Sequence, residues 1–297
     1  MAEDQRKQGL GHRGGIGIGA DRAGRPPGRG EALQPLAERP VVKPHHVAQA
    51  LVALRLGPAQ QRDAAEVESL ALREAVDRGD TWRNSVPGYL PRWNPFFTKE
   101  VIIRVAPREE IGPRLDAMGL DPARDLSAVV LTHFHHAHTG GLDHVPHTRI
   151  IAPRESYEAS RGFKGMMMGC LPQRWPTWFK PELVTMDGSP VGPFPASHAI
   201  TGDGRILLVP TPGHAAGHAS VIVRGDGVTW FLAGDATYDE ANLREEKADG
   251  VTNDPALSVA TLRAIKAFAA QEPTVILPAH DPGGPRRLAE GAVFRGA

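Results

Sequence analysis

At 297 residues the chain suits one large domain or two small ones, with ample length for a sizeable core. Its 34 Lys and Arg balance 34 Asp and Glu, so net charge points neither to nucleic acid nor to a strongly acidic partner. Cys170 is the single cysteine, which excludes an intramolecular disulfide and any thiolate-rich zinc site and fits a reducing cytoplasm. No apolar run approaches the roughly 18 residues of a membrane span, and the start MAEDQRKQGLGHRGG lacks the apolar core of a secretory signal, so the expectation is a soluble, unexported protein.

Residues 1 to about 40 are rich in Gly, Arg and Pro and hold few large apolar side chains, a composition that predicts disorder. The run Gly14-Gly15-Ile16-Gly17-Ile18-Gly19 has neither the preceding strand nor the following helix of a dinucleotide loop. Across residues 45–76, Val47, Ala50, Leu51 and Leu54, then Val67, Leu70, Ala71 and Leu72, fall at helical spacings interrupted by Gly57-Pro58, which predicts two short helices. From Asp80, Trp82, Tyr89, Trp93, Phe96 and Phe97 interleave with prolines, as in an irregular loop that packs or recognises something. A helix is expected over 109–118, closed by Gly119.

One unit then recurs: a short apolar run of strand character ending in a potential metal ligand. The runs are 127–131 before His133, 206–209 before His214, 229–232 before Asp235 and 274–277 before His280. Side chains at strand ends and in the loops after them converge on one sheet edge, so these donors should meet in space. His133 and His135, two apart on an extended segment, project to the same side and can share a metal, while His138 points to a neighbouring position. His214 sits in the tight turn Thr211-Pro212-Gly213-His214, Asp235 has two oxygens with which to bridge two metals, and His280 would complete the second site. All are nitrogen or oxygen donors suited to one or two Zn²⁺ per chain, with Mn, Fe or Co as other occupants.

The stretches 132–141, 211–218, 232–238 and 277–282, together with Pro91-Arg92-Trp93-Asn94-Pro95-Phe96-Phe97, resemble the metallo-β-lactamase-fold hydrolases, particularly the N-acyl-homoserine lactonases of quorum quenching. The resemblance spans roughly residue 77 to the C-terminus. It implies an α+β fold, an αββα sandwich with a two-metal site at one edge. Metal 1 would take His133, His135 and His214, and metal 2 His138 and His280, with Asp235 bridging. It also implies a hydrolase that opens small-molecule lactones or esters, for which a metal-bound water with a pKa of about 7 is a competent nucleophile. Tyr238, three residues after Asp235, matches the position from which these lactonases aim a phenol at the substrate's carbonyl or ring oxygen.

Two departures from the family pattern stand out. In His133-Phe134-His135-His136-Ala137-His138 the HxHxDH signature has Ala137 where an aspartate binds metal 2 and handles the leaving group's proton. This predicts weakened occupancy of metal 2 and impaired lactone opening, in a naturally degenerate or engineered site. His136 is the nearest spare donor, but adjacent residues point in different directions. Upstream, the family's first strands and Asp-Thr-Gly turn have no clear counterpart beyond Val76-Asp77-Arg78-Gly79-Asp80, so residues 1–75 read as an extension of doubtful native origin and 76–297 as the hydrolase domain.

The remaining features have plainer readings. His12, His45, His46, His147 and His198 are ordinary surface or core residues, and His218 is a structural hydrogen-bonding residue. Asp281 either orients a ligand or is a solvated loop carboxylate. Phe163, Met166, Met167, Met168, Leu171, Trp175, Trp178 and Phe179 form either a wall for an acyl chain or the packing of a core or homodimer interface. The competing functional class is a pseudoenzyme that keeps the scaffold and acts by binding. Fold alone does not choose among lactone, β-lactam, thioester, aryl ester and phosphotriester substrates.

Overall fold

The computed structural model describes residues 51–54, 81–94, 97 and 105–296, all within one unit, Lys43–Ala297. The disorder expected over the first 40 residues, the second of the two early helices and the 76–80 segment lie outside the described residues.

Two sheets form the centre. The first runs in the order β1 (Leu51–Leu54), β2 (Ala128–Leu131), β3 (Ile150–Pro153) and β4 (Glu182–Val184); the second is β5 (His198–Ala199), β6 (Ile206–Pro210), β7 (Ala219–Arg224), β8 (Thr229–Gly234) and β9 (Thr274–Pro278). Alternation along β2, β3, β6, β7, β8 and β9 divides their side chains between cores on opposite faces. Ala128, Val130 and Ile151 of the first sheet meet Leu208, Val221, Leu232 and Val275 of the second. Their neighbours turn outward. Val129, Leu131 and Ile150 pack against Ile111 and Leu115 of helix α1 (Ile111–Ala117), and Ile222, Phe231 and Ile276 pack against Leu262, Ile265 and Phe268 of a long helix, Pro255–Ala269. The result is the expected αββα sandwich, and burial on both faces explains why these strands read as continuous apolar runs.

The long helix shows how locally consistent the sequence is. Asp254 caps it by accepting from Leu257 N at 3.0 Å, Pro255 occupies the first turn, and the buried Leu262, Ile265 and Phe268 recur every three residues. Burying each of these side chains contributes about 1.5–3 kcal/mol.

Strand direction brings the donors to one edge. β6 and β8 are both antiparallel to β7 and therefore run the same way, β9 is parallel to β8, and β2 is parallel to β3. At that edge Ala219 N donates to Thr132 O at 3.0 Å, tying the first sheet to the second, and Ala279 N donates to Gly234 O at 2.9 Å.

One early element differs from expectation. Helical spacing predicts a helix through Leu51 and Leu54, yet Leu51–Leu54 is strand β1, paired antiparallel with β2 from Leu51↔Leu131 to Leu54↔Ala128. Four consecutive apolar residues satisfy either period, and the edge of β2 offers a hydrogen-bonded ladder that an isolated two-turn helix cannot match. Among the described residues no helix is long and apolar enough to cross a membrane.

Candidate metal centre

β2 ends at Leu131, the chain bends at Thr132, and after His133 the short helix His136–Thr139 carries His138 back over the same edge. After β6, Gly213 adopts φ +131°, and a Cβ there would lie 2.4 Å from Ser258 N, so only glycine lets the turn press against the long helix and present His214. After β8, Gly234 has φ +56°, and a Cβ would come within 2.8 Å of His218 Nε2. Asp235 follows, and His280 follows β9.

These residues converge. Asp235 Oδ2 lies 3.1 Å from His138 Nε2, 3.1 Å from His280 Nε2, 3.4 Å from His214 Nε2 and 3.9 Å from His133 Nε2. His135 Nδ1 lies 3.1 Å from His133 Nε2 and 2.9 Å from His214 Nε2. Three nitrogens around a tetrahedral zinc with bonds near 2.05 Å are separated by roughly 3.3 Å, so this trio is already close to a coordination geometry. Donor atoms of His133, His135 and His214, and of His133, His138 and Asp235, lie within 4.8 Å of one another.

The electrostatics suit a cation. Burial lowers the His133, His135 and His138 imidazoles from their ordinary value, with neighbouring imidazoles adding to the effect on the first two, so they are neutral donors. Burial pushes the Asp235 carboxyl up, but the His138 and His280 imidazoles outweigh it and hold the group well below the usual carboxylate range. Asp235 Oδ1 is buried with no hydrogen-bond partner among the described residues. A second carboxylate oxygen left without a donor, beside a fan of imidazole nitrogens, is the chemistry of a bridging ligand, and the residues present fit a pair of divalent cations.

Surrounding residues fix this cluster. His218 is structural, as expected: its Nε2 accepts from Asp235 N at 3.1 Å, so Nδ1 carries the proton and donates to Thr211 Oγ1 at 2.9 Å. Burial pushes the His218 imidazole down to about 3. Asp281 is not a solvated loop carboxylate. It is buried, bound to Arg287 at 2.7 Å, and accepts from Gly283 N and Glu240 N, fastening the loop that carries His280. His136 turns away from the cluster, with Nε2 2.7 Å from Asn84 Oδ1 and its ring against Tyr89 and Phe97. Tyr238 stands beside His280, ring centroids 4.5 Å apart, and burial followed by the Asp235 and Asp249 charges raises its phenol above the ordinary value.

Asp249 is the residue that sequence reasoning missed. Its Oδ2 lies 3.1 Å from His214 Nδ1, and both side chains are buried. It comes from a polar loop with no apolar run before it, so neither period nor motif marks it.

The apolar 161–179 stretch divides. Trp175, Trp178 and Phe179 pack on the core around Phe134, whereas Phe163 is exposed and stacks on Trp93 with centroids 6.3 Å apart. Cys170 is buried, and burial pushes its thiol up to about 12, which removes it as a nucleophile.

Known proteins are similar to this chain. The N-acyl homoserine lactonase AttM of Rhizobium radiobacter is 27% identical over 181 residues, covering 57% of this chain; the chain spans 63% of that relative's length. The N-acyl homoserine lactonase AiiA of Bacillus thuringiensis subsp. kurstaki is 25% identical over 191 residues, 63% of this chain and 68% of the relative. A solved N-acyl homoserine lactone hydrolase, with the product N-hexanoyl-L-homoserine at its catalytic metal centre, aligns with a TM-score of 0.51 at 22% identity, over 64% of this chain and 68% of that one. The family model for the metallo-beta-lactamase superfamily matches residues 109–280. Because that match runs from just before helix α1 to the last of the strand-end donors and takes in more than half of the sequence, the chain belongs to the metallo-beta-lactamase superfamily.

Proposed function

We propose that this chain is a metal-dependent hydrolase that opens small lactones or esters, in the manner of the N-acyl-homoserine lactonases, with zinc as its cation. The observation that carries the reading is Asp235 Oδ2 at the focus of four imidazole nitrogens within 3.9 Å. His133, His135 and His214 would hold one cation and His138 and His280 the other, with Asp235 between them. Bound there, the cations would supply a water acidic enough to attack at neutral pH and a Lewis acid for the substrate carbonyl.

The chain's own residues contribute orientation and proton handling. Tyr238, kept protonated by its surroundings, is a donor and not a base, and its hydroxyl would strengthen a hydrogen bond to the substrate oxygen as negative charge develops there. The His280 side chain is 25% exposed against 3% or less for His133, His138, His214 and Asp235, which favours substrate entry on the His280 and Tyr238 side. Ala137 has no group to bind a cation or to return a proton to a departing alkoxide. Lactones, with strongly basic leaving groups, should suffer from this more than aryl esters, whose phenolates leave unaided.

Ala137 also favours a second reading, a binding protein that keeps the scaffold without turnover. Cation content measured together with turnover of an acyl-homoserine lactone and a p-nitrophenyl ester separates the two. Turnover abolished by a chelator and restored by zinc supports the hydrolase; no turnover of either substrate by a zinc-saturated chain contradicts it and leaves the binder.

A further inference from the structure

We propose that Asp249 is a positioning residue that aims His214 at the first metal site, and that it makes the His133, His135 and His214 group the half that fills first. The inference rests on the two-cation reading above. An imidazole has two ring nitrogens, and a neutral one can offer only the nitrogen that lacks the proton. A carboxylate only accepts, so Asp249 Oδ2, 3.1 Å from His214 Nδ1, requires the proton on Nδ1 and leaves the Nε2 lone pair directed at the cluster, 2.9 Å from His135 Nδ1.

The carboxylate is itself held. Its other oxygen accepts from Val251 N at 2.8 Å, and farther along the same loop Asn253 N and Asp254 N donate to His214 O and Gly213 O at 3.1 and 3.0 Å. The loop is thus fastened to the His214 turn through both side chain and backbone, and through the Asp254 cap to the long helix. With the Asp249 and His214 side chains 3% and 1% exposed, water competes little for this contact. His138 makes the contrast. Its Nδ1 is equally buried but has no hydrogen-bond partner among the described residues, so no group outside the cluster draws its proton to the far nitrogen; the carboxylate it meets, Asp235 Oδ2 at 3.1 Å from Nε2, lies inside the cluster.

The test is a zinc titration of the metal-free full-length chain against a chromophoric competing chelator, on wild type, Asp249→Leu and Asp249→Asn. Leucine keeps the heavy-atom count and branching and loses the acceptor; asparagine keeps an acceptor without the charge. Asp249→Leu should weaken the first binding step by about 10- to 100-fold and leave the second within about threefold, while Asp249→Asn recovers most of the first-step loss. First-step binding by Asp249→Leu within about threefold of wild type, or equal losses in both steps, overturns the proposal. Should Asp249→Leu fail to fold, ¹⁵N NMR of the metal-free wild type decides: a His214 ring protonated on Nδ1 supports the proposal and one protonated on Nε2 overturns it. A wild-type chain that takes up no zinc defeats the metal reading itself, whereas two-step uptake with an unaffected Asp249→Leu defeats only the role of Asp249.

Discussion

His133, His135 and His214 sit in a fully built environment, whereas His138 and His280 meet the Asp235 carboxylate in a thinner one. In the first group, Thr132 Oγ1 lies 3.2 Å from His133 Nδ1, Asp249 lies behind His214, and glycines at 213 and 234 let backbone and rings approach closely. In the second, the position that carries an aspartate in the family signature is Ala137, His138 Nδ1 has no hydrogen-bond partner among the described residues, and His280 reaches toward solvent. Affinity at such a site comes from ligands held in place before the cation arrives as well as from the ligands themselves. The two halves should therefore bind with different strengths.

The largest effect that bears on this comparison is expected from His214→Ala. If four ligands share a binding energy of about 10–16 kcal/mol, removing one should weaken the first zinc step by about 100-fold or more. His138→Ala should act on the second step alone, and a matching loss in the first step would show that the halves are not separable. Ala137→Asp approaches the comparison from the other side: it should tighten the second step by about tenfold or more and narrow the gap between the steps. It should also raise lactone turnover by a larger factor than p-nitrophenyl ester turnover. Equal factors would mean that the missing carboxylate matters only through the cation.

His136 sharpens the comparison because it is adjacent to Ala137 and has an imidazole to offer. Its ring is committed to Asn84, and burial pushes it down to about 4 from the usual 6.5. His136→Gln should leave both zinc steps within about twofold, and a drop in the second would mean that His136 stands in for the lost aspartate. The same variant should change the pH profile of stability. Between about pH 6.5 and 4 the unfolded chain binds this proton and the folded chain does not, so wild-type stability falls as pH falls through that window, by about 3 kcal/mol at most. Urea unfolding midpoints at pH 7 and 4.5 should therefore separate more in wild type than in His136→Gln, and parallel profiles would contradict the assignment.

Much of this was readable from residue order. A strand buried on both faces is a short apolar run, so β2, β6, β8 and β9 announced themselves, and the donor after each followed from the geometry of strand ends. Leu51–Leu54 was misread because four apolar residues carry no period of their own, and it is the neighbouring β2 that makes them a strand. Asp249 was hidden, and Asp281 left between two readings, for a different reason. Each is a loop carboxylate whose role depends on a partner distant in sequence or on a turn closing behind it: His214 lies 35 residues from Asp249, and Glu240 N, 41 residues from Asp281, bonds its carboxylate. The split of the 161–179 aromatics was likewise invisible, since Trp175 and Phe163 differ only in which neighbour the tertiary fold supplies.

One half of the proposed metal centre has every residue that the family pattern gives it, and the other has Ala137 where that pattern has an aspartate. A zinc titration of the metal-free wild-type chain tests it most directly. The account predicts two cations per chain taken up in two steps whose affinities differ by about tenfold or more. Two equal steps, or no uptake at all, would contradict it.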